Sequence, residues 1–126
     1  MTLIKRRLVR VDEQTGDYAE VDTVRLQRET RELMDYILAN IDPNKDQYGI
    51  WTSLVPLCRA VLAETMSLPV SFFELPLRYA SREGLLDAGF DELFCEFALT
   101  VSGTAREVLD EVVIDGVRYM YADFEE

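Results

Sequence analysis

Alternating apolar and polar positions near the N-terminus predict two strands. The segments Leu3–Val11 and Asp17–Val24 flank the polar sequence DEQTGD. Within that sequence Gly16 can adopt the positive φ of a tight turn, and Asp12 and Thr15 can form hydrogen bonds inside it. The pattern therefore predicts an N-terminal β-hairpin in which the two segments pair with each other.

The period changes at Thr23 from that of a strand to that of a helix. Apolar residues recur at helical spacing from Leu26 to Ile41, where the sequence DPN ends the helix. After a polar loop, a second helix is predicted with Ser53 as its N-cap, because apolar residues follow at helical spacing as far as Met66.

The sequence FDELFCEFALTVSG, residues 90–103, fits two periods at once. Strand alternation would put every second residue from Leu93 onward on one face, whereas helical spacing groups a different apolar set. We favour a helix, since Asp91 and Glu92 stand at its start and Gly103 is suited to end it. A strand is the alternative.

Two further elements are predicted at the C-terminal end. The sequence TARE, which begins at Thr104, has the spacing of a capping box and predicts a short helix over residues 105–112. The segment Val112–Tyr121 predicts a C-terminal β-hairpin, because its dipeptide Asp115-Gly116 suits a type I′ turn. The final residues, ADFEE, are expected to fray. The fold class that results is α+β, with a β-hairpin at each end and central helices between them.

Composition is that of an ordinary globular protein and predicts one domain over residues 1–126. Hydrophobic residues make up 48% and charged residues 29% of the chain. Charges interrupt the apolar residues of the N-terminal sequence, and no apolar run approaches the ~20 residues that span a bilayer. We therefore expect a cytoplasmic protein, in which the separated Cys58 and Cys95 are reduced thiols of the core.

Charge is distributed unevenly along the chain. Residues 1–82 hold 12 acidic and 11 basic side chains, whereas residues 83–126 hold 12 acidic and 2 basic ones. An acidic C-terminal third would repel nucleic acid and steer a partner protein with a basic surface, although such charge also serves solubility alone. Near the N-terminus, Lys5, Arg6, Arg7 and Arg10 are interpreted as the charged solvent edge of a strand.

The residues needed for most catalytic sites are missing. The chain has no histidine, so it lacks a Ser-His-Asp or Cys-His pair and a general base with a pKa near neutral pH. It also lacks the glycine-rich phosphate loops and the aspartate order of a calcium loop. Acidic clusters such as Asp91, Glu92 and Glu96 are interpreted as solvated faces. We expect no catalytic residues, no metal site and no cofactor.

Residues 53–86 have the outline of a helix-turn-helix. Apolar residues are spaced along the first helix, Met66-Ser67-Leu68 forms the turn, and Gly84-Leu85-Leu86 follows a second helix. That helix either spans Ser71–Glu83 with a kink at Pro76 or starts at Pro76. This segment resembles the core of winged-helix regulators and plasmid replication proteins. The resemblance implies a DNA-binding protein in which the second helix enters the major groove and Arg78 and Arg82 contact phosphates. The hairpin over residues 112–121 would then take the place of the wing.

The proposed second helix departs from a DNA-reading helix in its composition. It is rich in large apolar side chains, contains Pro76, and places Glu74 four residues before Arg78, where an intrahelical ion pair is favoured. Base-reading helices instead present polar and basic residues to the grooves. Residues 53–86 are also electrically balanced, with three basic and three acidic side chains.

The same apolar excess suits a protein contact. Aromatic residues and arginine are the usual anchors of interfaces, although a plain core is the alternative interpretation. We predict a small acidic, non-catalytic protein-binding module, an inhibitor or adaptor of the kind encoded by phages and mobile elements. The alternative is a winged-helix DNA-binding regulator, and an acidic nucleic-acid mimic is less favoured because a net charge of −11 is modest. The candidate contact residues are Trp51, Phe72, Phe73, Tyr79, Asp110 and Glu111.

Overall fold

Strands at the two ends of the chain enclose a helical centre. The computed structural model describes residues 3–14, 16–45, 47–104 and 110–125. Short helical turns occur at Pro43–Lys45, Ile50–Leu54 and Phe72–Glu74. The α+β class is thereby confirmed. Within the described ranges the main elements are β1 (Ile4–Arg10), α1 (Thr23–Asn40), α2 (Val55–Leu62), α3 (Arg78–Arg82), α4 (Ala88–Val101), β2 (Glu111–Ile114) and β3 (Val117–Glu125).

The strands form an antiparallel sheet in the order β1-β3-β2. The predicted N-terminal hairpin is formed only at its turn, where Asp12 N–H donates to the Asp17 carbonyl and Val11 pairs with Tyr18. The predicted pairing of the rest of the two segments is wrong, because β1 pairs along its whole length with β3. The nine-residue β3 is long enough to pair with all of β1. The segment 17–24 ends early as a strand, because the Asp22 side chain caps α1 by accepting a hydrogen bond from the Arg25 backbone N–H at 3.0 Å. The expectation that the tail frays is also wrong, since β3 extends to Glu125.

The C-terminal hairpin is confirmed. Asp115 and Gly116 connect β2 to β3 with φ angles of 51° and 80°. Positive φ at both central residues is the geometry of a type I′ turn, whose twist matches that of the flanking strands.

The two long helices are close to their predicted bounds. Helix α1 ends at Asn40, just before the sequence DPN, and α4 begins after the N-cap Asp87. Gly103 has a φ of 68°, and a Cβ built there would lie 2.7 Å from the carbonyl oxygen of Tyr18. The alternative of a strand over this segment is wrong. Of the predicted short helix over 105–112, residues 105–109 lie outside the described part, and Glu111 and Val112 belong to β2.

The second helix starts earlier than predicted, and Ser53 does not cap it. Gly49, with a φ of 77°, turns the chain into the π-helical segment Ile50–Leu54, which runs directly into α2. Ser53 lies inside this helical run, where its backbone N–H donates to the Gly49 carbonyl at 2.7 Å, so it does not stand at a helix start. Pro56 stands in the first turn of α2, the part of a helix in which proline is best tolerated.

The main core lies where α1, α2 and α4 meet. Its fully buried members include Leu33 and Ile37 of α1, Cys58 of α2, and Phe90 and Phe97 of α4. Desolvation raises the pKa of the Cys58 thiol to about 12, so this cysteine stays protonated in the core. Within the described ranges, no helix combines the length and the apolar character that crossing a membrane requires.

Candidate protein-binding site

A continuous helix over residues 71–83 is wrong, and the alternative start at Pro76 is closer, because α3 begins at Arg78. Phe72–Glu74 is a single 3₁₀ turn, Leu75 is extended, and Leu77 has a φ of 67° before α3 begins at Arg78. Pro76 explains the break, because its ring disfavours a helical conformation at the preceding residue and it has no N–H to donate. Burial of the Leu75 and Leu77 side chains anchors the broken segment to the core.

A groove runs between α3 and α4. It has a volume of about 470 Å³, and we call it the aromatic groove. Its floor on α4 is mostly apolar, whereas the opposite wall carries two aromatic rings and two arginines. The residues that line it are Phe72, Arg78, Tyr79, Ser81, Arg82, Phe94, Cys95, Ala98 and Leu99.

Three aromatic side chains near this groove are exposed. Phe73 retains 76% and Tyr79 66% of its accessible surface, and Phe72 is also exposed. The rings of Phe72 and Phe73 meet edge to face, with centroids 6.3 Å apart. Large exposed apolar side chains that lie together mark contact surfaces more often than isolated ones do. The alternative that these three residues are plain core is wrong.

Both arginines of α3 stack on exposed rings. The guanidinium carbon of Arg78 lies 5.2 Å from the centroid of Phe73, and that of Arg82 lies 5.6 Å from the centroid of Tyr79. Arg82 also places its Nε 3.4 Å from Glu83. The intrahelical ion pair predicted between Glu74 and Arg78 does not apply, because the two residues do not lie in the same helix. Cation–π stacking holds the guanidinium groups beside the groove.

The polar side chains in and next to the groove form hydrogen bonds with each other. Ser81 Oγ donates to Asp91 Oδ1 at 2.6 Å, and the sulfur of Cys95 lies 3.5 Å from Ser81 Oγ. Desolvation is the main cause that raises the pKa of the Cys95 thiol. This cysteine is therefore protonated near neutral pH, and the groove offers no thiolate nucleophile within the described residues.

Phe73 lies beside the groove, against Phe72 and Arg78, and the remaining predicted contact residues lie away from it. Trp51 is half-buried, and its indole N–H donates to the Ile41 carbonyl at 3.0 Å, next to the end of α1. Glu111 lies on β2, where the Arg118 guanidinium lowers the pKa of its carboxyl group. The neighbouring Asp110 accepts a backbone bond from β3 through its carbonyl oxygen. The structure thus brings together Phe72, Phe73, Tyr79, Arg78 and Arg82, and separates Trp51, Asp110 and Glu111 from them.

Arginines from the N-terminal half meet acids from the C-terminal third. Arg6 bonds Asp123 at 2.7 Å, Arg25 bonds Glu96 at 3.1 Å, and Arg28 bonds Glu125 at 2.7 Å. The hydrogen bond to Glu125 is the largest cause that raises the pKa of Arg28. These arginines therefore partly neutralise the acidic C-terminal third in the folded protein.

A second cavity, of about 190 Å³, lies beside the start of α1. Behind it, the buried Glu29 carboxylate accepts a hydrogen bond from Thr100 of α4 and lies 3.5 Å from Arg25 Nε. Sequence reasoning missed this link, because Glu29 has the spacing of an exposed ion pair with Arg25. We assign it a structural role, in which it fixes α1 against α4.

No grouping of three or more His, Cys, Asp or Glu side chains that could hold a metal occurs among the residues that the structure describes. Comparison with protein-family models, with curated protein sequences and with solved structures finds no match to this chain. The resemblance of residues 53–86 to winged-helix proteins thus gains no support from these comparisons, and the functional hypothesis depends on the groove.

Proposed function

We propose that this protein is a non-catalytic module that binds another protein through the aromatic groove. The exposure of Phe73 and Tyr79 beside an apolar floor is the observation that carries the proposal. Two aromatic anchors with two arginines form the composition that dominates interface energetics. The lack of histidine in the whole chain supports a binding role over a catalytic one.

The segment that would fill the groove is an amphipathic stretch of the partner that inserts apolar side chains. About 470 Å³ accommodates a few side chains, and the floor formed by Phe94, Ala98 and Leu99 offers apolar contact to them. A net charge of −11 favours a partner whose overall surface is basic, since such a charge accelerates the approach of an opposite one. The role is that of an inhibitor or adaptor, and the proposed compartment is the cytoplasm.

DNA binding is less well supported than protein binding. Helix α3 has only five residues, a length of about 7.5 Å at 1.5 Å per residue, and the three residues directly before it are not helical. Arg78 and Arg82 remain exposed enough to contact phosphates, but they stack on rings instead of extending from a long helix. Salt-sensitive mobility shifts that Arg78→Ala with Arg82→Ala abolishes would revive this alternative.

The test compares proteins recovered from the native host by the full chain and by matched variants. The groove variant is Phe73→Ser with Tyr79→Ser, and the control is Leu38→Ser, which changes a side chain that is 60% exposed on α1. We expect one protein to bind the wild type and the control with equal affinity after purification. The groove variant should bind it at least about tenfold more weakly, as for loss of an interface anchor. Absence of any partner at low and moderate salt, or a partner that tolerates the groove variant, contradicts the proposal.

A further inference from the structure

The outer edge of β1 presents backbone groups that no other strand of the sheet uses. Strand β1 ends the sheet order β1-β3-β2. The Val11 backbone N–H donates to the Arg118 carbonyl of β3 at 3.0 Å, whereas the Arg10 carbonyl faces the other way and accepts from Ala19 at 2.9 Å. Since hydrogen-bonded positions alternate in an antiparallel pair, the odd-numbered residues of β1 form the backbone hydrogen bonds with β3. Ile4, Arg6 and Leu8 therefore direct their N–H and C=O groups outward.

This edge is less protected than its basic sequence implies. Arg6 is held against Asp123 by two hydrogen bonds, of 2.7 and 3.0 Å. Arg7 bonds Glu20 at 2.9 Å and covers the ring of Phe124 at 4.0 Å. Two of the charges that would repel an incoming strand are thus neutralised and held on the sheet, where they protect the edge less.

The side chains of β1 leave apolar and cationic groups along the same edge. Leu3 and Ile4 are exposed, and Leu8 is half-buried on the face that Ile4 shares. Among the described residues no acidic side chain forms an ion pair with Lys5 or Arg10. Side chains alternate along the strand, so Arg10 lies on the face of Ile4 and Leu8, whereas Lys5 lies on the opposite face. An incoming strand would find Ile4 and Leu8 on one face and the positive charge of Lys5 on the other.

We propose that the β1 edge binds an extended segment of a partner protein that alternates apolar and acidic residues. The segment would continue the sheet through Ile4, Arg6 and Leu8, with a carboxylate beside Lys5. A second copy is a poorer occupant, because pairing β1 with its own equivalent would place basic strands against each other. This contact goes beyond the aromatic groove and uses a different surface.

The acidic segment is compatible with a partner that is basic overall. Net charge acts during approach, whereas at physiological salt exposed charges farther apart than about 8 Å are largely screened. Within that distance, the charge of Lys5 favours acidic side chains on its face of the incoming strand.

The test uses the full chain, labelled for amide NMR, and a synthetic peptide probe. The probe is an end-capped peptide of alternating valine and glutamate, about as long as β1, and its counterpart carries lysine in place of glutamate. We expect the glutamate peptide to shift the amide signals of Ile4, Arg6 and Leu8 and to slow their hydrogen exchange. The lysine peptide should bind at least about tenfold more weakly, because its charged side chains repel Lys5.

Proline substitutions at the two sheet edges provide the matched pair. Ile4→Pro removes an outward N–H from a residue that is 58% exposed, and Val113→Pro does the same on β2, where the residue is 63% exposed. Ile4→Pro should weaken peptide binding about tenfold, while Val113→Pro leaves it unchanged. No shift at the β1 amides, equal binding of the lysine peptide, or equal loss in both proline variants would overturn the proposal.

Discussion

Removing the exposed ring of Phe73 should have little effect on the stability of the fold. The ring keeps 76% of its accessible surface, so only about a quarter is buried. Full burial of a phenylalanine contributes about 1.5–3 kcal/mol, and a quarter of that is about 0.5 kcal/mol. The stacking of Arg78 at 5.2 Å adds about 0.5 kcal/mol at an exposed site. Phe73→Ala should therefore lower the free energy of unfolding by about 1 kcal/mol.

The matched core substitution is Phe97→Ala, in a ring that is fully buried in α4. Deleting it removes apolar surface and leaves a cavity, so the expected loss is about 3–5 kcal/mol. Equilibrium urea denaturation of both variants and the wild type measures the difference. A loss above about 2 kcal/mol for Phe73→Ala would show that this ring supports the fold, and the interpretation of the aromatic groove as a contact surface would fail.

Three further predictions concern the fold itself. Gly103→Ala should destabilise the protein by about 2 kcal/mol in urea denaturation, because φ is positive and a Cβ would meet the Tyr18 carbonyl; an unchanged midpoint contradicts this. The hydrogen bond from Tyr36 lowers the pKa of Asp87, so the stability it adds is present above the ordinary carboxyl pKa and lost as pH falls through the lowered value. The urea midpoints of wild type and Asp87→Asn should therefore converge in acid, and a constant difference refutes the assignment. Cys58 should react with a thiol reagent at neutral pH only as fast as the protein unfolds, and rapid labelling of the native state contradicts its burial.

Local signals predicted the elements that depend on neighbours in sequence. The helical spacing and the DPN stop gave α1, and the dipeptide Asp115-Gly116 gave the C-terminal turn. Gly103 resolved the ambiguous segment as a helix, because only a helix needs a left-handed residue to end it there.

Features that depend on distant contacts were not predictable in this way. The pairing of β1 with β3 joins the two ends of the chain, and no local pattern distinguishes it from the hairpin that the N-terminal turn favours. The ion pairs Arg6–Asp123 and Arg28–Glu125 depend on that topology, so counting charges along the sequence exaggerated the acidic C-terminal third.

The candidate site was predicted in part. The aromatic excess around Phe72, Phe73 and Tyr79 pointed to this surface. The geometry of the site was not predictable, because the sequence analysis assumed a helix that Pro76 and the left-handed Leu77 break. The wall that α4 contributes to the groove follows from tertiary packing alone.

Site-specific photocrosslinking from the groove tests the central claim most directly. A benzophenone amino acid replaces Phe73 in one protein and Leu38 of α1, which is also exposed, in another, and both are irradiated in the native host. The account predicts one protein adduct from position 73, retained at moderate salt, with none of that adduct from position 38. Absence of an adduct at position 73, or the same adduct from both positions, would contradict it.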